Sequence, residues 1–452
     1  MSNSLKRREF LKIGTAAGLG AALAGTRRPL PAFTPPPDKT LIEFSVPPVN
    51  PVRMGFVGVG GMGSAHLRNY LKIDGVEVRA ICDIVEEKVA RAQKTCTDAG
   101  APRPDGYSNG PTDFKRLCER NDLDLVLTAT PWEWHVPVCV AAMEAGKHAA
   151  TEVPAAYTIE DCWKLVETAE KNKRHCIMLE NCCYDRPELL CLNLVKKGLL
   201  GEIFHAEAGY LHDLRPVKFS GEGEALWRPQ HSVTRNGNLY PTHGLGPVSQ
   251  CMDVNRGDRF GYLVSMSSKS MGLNLYLAKK YGPESPQARQ KYALGDVNVS
   301  LIHTVNGKVI TLYHDTSSPR PYSRIHIVQG TNGLFEKYPE PARVFIEGRS
   351  PADSWETLDM YQEFDHPIWK ILEEKSKGAG HGGMDFVEDY RLIDALRQGR
   401  PPDMDVYDAA AWSVVSPLSE RSVAEKSKPV DFPDFTRGGW KTPRPLHIME
   451  AK

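Results

Sequence analysis

The chain of 452 residues has no excess charge of either sign: 56 lysines and arginines are matched by 56 aspartates and glutamates. No global field therefore gathers nucleic acid or an anionic membrane, and no basic run with interleaved aromatics replaces one. Ten cysteines are present, but no Cys-x-x-Cys pair and no Cys/His zinc spacing. Free thiols and no structural metal are the expectation. No internal repeat is visible, which excludes a solenoid. The apolar run Ile13 to Ala24 is too short to span a bilayer comfortably, so stable membrane insertion is not expected.

What is present begins with one stretch. Apolar residues from Val52 lead into Gly58-Val59-Gly60-Gly61-Met62-Gly63, and Ala65 to Ile73 reads as a helix. This is the strand, glycine turn and helix of a dinucleotide-binding unit. Gly58 permits the tight turn, Gly60 lets backbone approach a pyrophosphate, and Gly63 allows close helix–strand packing. The helix N-terminus offers free N–H groups to the phosphates. A second strand, Val76 to Ile81, ends at Asp83, twenty residues beyond Gly63. A carboxylate there accepts from a ribose 2′-hydroxyl and repels a 2′-phosphate, so NAD is expected rather than NADP.

Ahead of this unit, Lys6-Arg-Arg-Glu-Phe-Leu-Lys12 precedes the short apolar run, which ends Ala22-Leu-Ala24. A charged start, a hydrophobic centre and small residues at the end make an export signal. The paired arginines followed by Phe-Leu-Lys resemble a twin-arginine signal, with its export machinery as a partner. Residues 1–25 are assigned to that signal and 26–50, rich in proline, to an extended linker. Export of a folded protein to the periplasm or beyond would let NAD be loaded first, and leaves cysteines unpaired.

Residues 51–180 read as the NAD-binding domain. Glu86 to Ala99 is a helix, Pro102 to Asn109 a loop, and Asp113 to Glu119 a short helix. Leu123 to Thr128 is an apolar strand of the kind found inside a parallel sheet. It ends in a loop carrying Trp132-Glu-Trp-His135, and Pro137 to Ala145 is the next helix. Strands at His148 to Pro154 and Cys176 to Glu180 flank a helix from Ile159 to Asn172. From 181 to 425 the pattern changes to strands near 202–211, 260–268, 297–305, 308–314, 324–329, 333–337 and 343–347. Asn306-Gly307 and Asn332-Gly333 mark hairpins. Helices at Met384 to Arg397 and Asp408 to Glu425 follow, and 426–452 is an irregular tail. The fold class is α/β: a doubly wound parallel Rossmann sheet plus an α+β domain with a large, mostly antiparallel open sheet. The open sheet face is the surface at which a homo-oligomer, if one forms, is expected to associate.

The glycine motif, a Glu-x-Pro turn after a later strand and a distal open sheet together resemble the glucose–fructose oxidoreductase superfamily. Most of its members carry Glu-Lys-Pro at that turn, the lysine shuttling a proton of the hydroxyl being oxidised. Here the turn is Glu152-Val153-Pro154, and valine holds no proton. Leu239 also stands where those dehydrogenases carry an aspartate, four residues before His243. Trp132-Glu-Trp-His135, Glu180-Asn-Cys-Cys-Tyr184, Gly209-Tyr-Leu-His-Asp-Leu214 and Gly237-Asn-Leu-Tyr-Pro-Thr-His-Gly-Leu-Gly-Pro247 resemble glycoside hydrolase family 109. Its founding activity is an NAD-dependent α-N-acetylgalactosaminidase. The resemblance implies cofactor contacts at Met62, Gly63, Asp83, Trp132, Glu133, Trp134, His135, Glu152, Val153 and Asn181. It implies sugar contacts at Tyr210, Arg228, Tyr240, Pro241, Thr242, His243 and Tyr322.

Most glycosidases flank the scissile bond with two carboxylates, and NAD-dependent families are exceptions. No carboxylate pair stands out in this sequence. The redox route implied by the resemblance oxidises sugar C3, removes the acidified C2 proton, eliminates the C1 leaving group, adds water and returns the hydride. It requires bases for the C3 hydroxyl and for C2–H, and donors for an enolate oxygen. His243, Tyr240 and Tyr210 are the candidates for these catalytic roles, with Arg228 as a further donor. His231 and His381 read as ordinary packing residues. A periplasmic sugar oxidoreductase and a non-enzymatic sugar or nucleotide sensor are the competing readings.

Overall fold

The computed structural model describes residues 40–450. The expected signal, and the linker as far as residue 39, lie outside the described residues. Strands β1 (Val52–Val57), β2 (Val76–Cys82), β3 (Asp105–Tyr107), β4 (Leu125–Thr128), β5 (His148–Thr151) and β6 (Cys176–Met178) alternate with helices. They pair in parallel in the order β3-β2-β1-β4-β5-β6. Every residue of β4 and β5 is buried, as helices on both faces require. The strand order reverses between β1 and β4, so a ligand crevice opens outside their carboxyl ends.

Two local expectations are corrected here. The segment 102–109 contains β3, whose three residues pair with Ala80–Cys82; so short a strand shows no alternation. Trp132-Glu-Trp-His135 is not a loop but the first turn of helix Trp132–Glu144. Pro137 falls in its second turn and leaves the Glu133 carbonyl without its helical donor. Glu133 is exposed, so that carbonyl lies at the solvated side of the helix.

The second sheet comprises β7 (Ile203–Leu211), β8 (Phe260–Ser267), β9 (Asn298–Thr304), β10 (Val309–Asp315), β11 (Ile327–Gly330), β12 (Gly333–Glu336), β13 (Arg343–Ile346), β14 (Glu356–Thr357) and β15 (Val430–Asp431). Their order is β14-β13-β12-β11-β7-β10-β9-β8-β15. Only the β7–β10 pairing is parallel. Ala206, Ala208 and Tyr210 on β7 face inward beside Ile310, Leu312 and His314 on β10. The other face is open, with Met266 66% and Leu301 46% exposed.

The tail is not wholly irregular, because β15 closes one sheet edge against β8. The expected helix 408–425 is two helices, Val406–Ser413 and Val415–Ala424. Pro417 explains the break: it cannot donate to the Ser413 carbonyl, and its ring crowds that group. The end of the proline-rich segment is docked rather than free. Its Val46 and Val49 N–H groups donate to Gly399 and Leu396 carbonyls at 3.2 and 3.1 Å. No helix among the described residues is long and apolar enough to cross a membrane.

Candidate active site

Every residue expected at the cofactor lies at the carboxyl edge of the parallel sheet. Gly58 follows β1, Asp83 β2, Glu152 β5 and Asn181 β6, while Met62 and Gly63 open helix Gly61–Tyr70. Gly58 has φ +84°, and a Cβ at Gly63 would strike the Gly58 carbonyl oxygen. A Cβ at Gly60 or Gly61 would meet nothing within 4 Å. The loop therefore presents bare backbone to the crevice, which fits the pyrophosphate of a dinucleotide. The Asp83 carboxylate also shapes this loop, accepting from Val59 N and Val85 N at 3.0 Å each. Each oxygen retains a lone pair for a ribose hydroxyl.

The four residues of the tryptophan motif diverge. Trp132 points toward the second domain, its ring centroid 5.9 Å from Tyr240, 5.2 Å from Trp227 and 4.6 Å from His231. Trp134 packs on Phe114 at 6.1 Å, and Glu133 is exposed. His135 is buried and bridges the Pro154 and Thr130 carbonyls at 2.8 and 2.9 Å. It thereby fastens the Val153–Pro154 turn to the loop after β4. Val153 itself is buried.

The expected sugar residues converge on the other wall. Helix Thr242–Cys251 begins at the Tyr-Pro-Thr-His motif, and its glycines let it lie close to two neighbours. A Cβ at Gly244 would strike the Gly209 backbone of β7, and one at Gly246 would come within 3.0 Å of Glu180 Cγ. This seating brings His243 to 5.4 Å from Tyr210 and 4.9 Å from Tyr240, ring centre to ring centre. Tyr210 and Tyr240 are 4.6 Å apart, and Tyr322 closes the rim at 6.2 Å from Tyr210. The Arg228 guanidinium lies 5.2 Å from both the Trp132 and Tyr240 rings and pairs with Glu224 at 3.0 Å. Thr242 is buried beneath the helix start.

Glu180 organises this wall. It is 0% exposed, and Oε1 accepts from His243 Nδ1 at 2.7 Å and from Cys182 N at 3.2 Å. With Nδ1 so engaged, His243 keeps Nε2 for other partners, and its side chain is 13% exposed. Burial pushes the Glu180 carboxyl up, but the His243 imidazole outweighs burial and holds it below the usual carboxylate range. Burial pushes Tyr210 up to about 12, and Tyr240 well above its ordinary value, although Arg228 opposes both shifts. Both phenols are therefore protonated donors at neutral pH. The adjacent His231 is pushed down to about 4 by burial and by Arg235 and Arg228.

Comparison with known proteins decides the family. Residues 184–442 match the family model of the glycosyl hydrolase 109 C-terminal domain, and 52–180 match that of an oxidoreductase family with an NAD-binding Rossmann fold. A glycosyl hydrolase family 109 protein of Solibacter usitatus is 49% identical over 444 residues, covering 97% of this chain and 99% of the relative. One from Shewanella pealeana is 45% identical over 458 residues, covering 98% and 99%. The chain belongs to glycosyl hydrolase family 109. This family 109 chain also shares its fold with solved dehydrogenases. Levoglucosan dehydrogenase in complex with NADH and levoglucosan superposes with TM-score 0.64 at 22% identity, over 84% of this chain and 99% of that one. An inositol dehydrogenase homologue with NAD+ from Azotobacter vinelandii gives 0.64 at 20%, over 86% and 100%. The parallel-sheet half is an NAD-binding Rossmann domain.

Several polar residues at or near the candidate site carried no assigned role in the sequence. Glu180 closes an apolar strand segment, and a carboxylate there was the available signal. Asp385 lies far along the chain, yet it accepts from the Asn181 amide at 2.7 Å and contacts His381 Nδ1 at 2.8 Å. His66 and Asp389 form another such pair, at 2.8 Å. Lys218 is buried, donates to Thr316 Oγ1 at 2.9 Å, and is pushed down to about 7 by burial and Arg228. Nothing in the sequence pattern marked the Asn181–Asp385, His66–Asp389 and Lys218–Thr316 pairings, because each joins distant segments.

Proposed function

We propose that the chain hydrolyses α-N-acetylgalactosaminides or closely related glycosides by transient oxidation at sugar C3, elimination across C1–C2, water addition and re-reduction. The observation that carries this reading is the Glu180–His243 pair, at 2.7 Å, set among phenols that burial keeps protonated. NAD, when bound along the carboxyl edge of the parallel sheet, supplies a reversible hydride acceptor. The bound dinucleotide would be held by the glycine loop, Asp83, Trp132, Glu152 and Asn181.

The chain's own residues do the proton chemistry. His243 Nε2 is one of the two bases the route requires, because Glu180 fixes the ring through Nδ1 and favours the imidazolium that forms. Tyr240 and Tyr210 donate to developing negative charge on substrate oxygen, and Arg228 adds a fixed positive charge beside them. Trp132, Trp227 and Tyr322 give an apolar wall for a sugar face. Val153 cannot hold the proton that a lysine would carry at that turn, which disfavours a plain sugar dehydrogenase.

Hydrolysis of p-nitrophenyl α-N-acetylgalactosaminide in deuterated water tests the reading. Deuterium should enter C2 of the released sugar. If C2 carries none, substrate deuterated at C2 is compared with the ordinary one, to expose a shielded base that returns the same proton. Hydrolysis with neither exchange nor an isotope effect would refute the elimination route. Net formation of NADH and a ketosugar, without p-nitrophenol, would instead identify a sugar oxidoreductase.

A further inference from the structure

Outside the His243 cluster, the most unusual buried group is His66, in the helix that follows the glycine loop. It is 1% exposed, and carboxylates meet both ring nitrogens. Nε2 is 2.7 Å from Glu152 Oε1, on the turn after β5. Nδ1 is 2.8 and 3.0 Å from the two Asp389 oxygens, on helix Met384–Gln398 of the second domain. Asn69 also donates to Asp389, at 2.9 Å. The Glu388 carboxyl lies in the same cluster, with Oε1 buried and without a hydrogen-bond partner. A neutral imidazole donates through only one nitrogen, so two ionised partners are both satisfied only by the imidazolium.

We propose that His66 is a positioning residue: an imidazolium that holds the Glu152 carboxylate aimed at the cofactor crevice while tying it to the second domain through Asp389. The inference rests on the NAD placement proposed above: with the adenosine ribose at Asp83 after β2, Glu152 after β5, on the other side of the glycine loop, borders the nicotinamide end. The oxidised nicotinamide ring carries a positive charge and the reduced ring does not. A carboxylate held beside the ring therefore favours NAD+ over NADH, and letting that carboxylate move away removes the preference.

The surroundings agree with a charged ring. Burial works against the His66 imidazolium, but Asp389 and Glu152 outweigh it and hold its pKa well above the ordinary value. The other groups facing it are Glu388, Asp385 and Tyr70. Burial raises Glu388 well above the carboxylate range and Asp389 above its ordinary value, with His66 opposing both. Taking away the imidazolium would leave Glu152 Oε1 without the donor that fixes it, free to turn from the crevice.

Equilibrium dialysis of the full chain against NAD+ and, separately, NADH at neutral pH tests this. In His66→Gln NAD+ affinity should fall about tenfold, the worth of one charge-assisted contact, while NADH affinity changes little. Glu388→Gln, which leaves both contacts of the His66 ring in place, should behave as wild type. Equal losses for both nucleotides, or no loss at all, would overturn the proposal. If His66→Gln does not fold, Asp389→Asn should shift the ratio of the two affinities in the same direction by a smaller factor, and an unchanged ratio there overturns it equally. The readout is binding, so a chain that failed to hydrolyse glycosides would still pass or fail this test.

Discussion

Replacing Glu180 is the most direct probe of the site, because glutamine and leucine there remove different things. Glutamine keeps the shape and still accepts the His243 Nδ1–H through its carbonyl oxygen. Only the charge is lost. A hydrogen bond to a charged group contributes about 1.5–3 kcal/mol and a neutral one about 0.5–1.5. The exchange therefore withdraws about 1–1.5 kcal/mol of support for the imidazolium, or about tenfold in kcat. Leucine also removes the acceptor that orients the ring, so the loss approaches the whole general-base contribution, about 10²–10⁴-fold. The assay is release of p-nitrophenol from the α-N-acetylgalactosaminide, alongside bound nicotinamide and thermal midpoint. Stability should also respond to pH with a defined sign. Glu180 is held below the usual carboxylate range, so its contribution is present above that range and lost as pH falls through its depressed value. Wild type should therefore lose its margin over Glu180→Gln on acidification. Both variants turning over within about twofold of wild type, with cofactor intact, would refute the assignment of His243 as a base backed by Glu180.

Three further outcomes are expected. Asp83→Ala should weaken NAD by about 1.5–3 kcal/mol in calorimetry, since the carboxylate also holds Val59 N and Val85 N; undiminished affinity would sink the reading of the second strand. Gly244→Ala drives a methyl into the Gly209 backbone, so the thermal midpoint should fall by an amount matching about 1–3 kcal/mol and turnover should drop with it; an unchanged midpoint would mean the helix is not seated on β7. Replacing Arg7 and Arg8 with lysine keeps the charge, yet should block export in a fractionation assay if a twin-arginine receptor reads the pair; unchanged export would leave a general secretion signal or none.

Periodicity and turn chemistry made much of the fold legible. Gly58 to Gly63, the apolar β4 and the Asn-Gly hairpins each announce an element through its own local physics, and each is present. The failures are equally local. β3 is too short to alternate, Pro137 disguised the start of a helix, and Pro417 broke one that was read as continuous. Of the candidate site, the sequence marked the residues that lie within a motif, Tyr240 to His243 and Asp83. It did not mark those whose partner comes from far along the chain. Helix Met384–Gln398 shows why. Its amphipathic period is visible in the sequence, but Asp385, Glu388 and Asp389 on its polar side are all buried. A charged stripe reads as a solvated face unless the opposing imidazole and amide are known, and His66 and Asn181 lie hundreds of residues away.

Those buried carboxylates bear on how long the cofactor stays. Asp385 accepts from Asn181, at the end of β6, and Asp389 meets His66, beside the glycine loop. One helix of the second domain is thus fastened at two points to the edge that holds NAD. Parting the domains there would strip buried partners from two carboxylates, and breaking even one buried charged pair costs about 3–5 kcal/mol. A dehydrogenase that releases its reduced cofactor each turnover gains nothing from such a closure, whereas a cycle that returns its hydride never needs to open there. Nicotinamide should therefore accompany the purified chain in near-stoichiometric amount and appear in solution only on denaturation. Asp385→Asn should shorten its residence, because a neutral amide holds Asn181 and His381 less firmly than a carboxylate does. A chain that purifies bare, with turnover depending throughout on added NAD, would refute the retention argument. It would return the site to the ordinary exchange of a dehydrogenase.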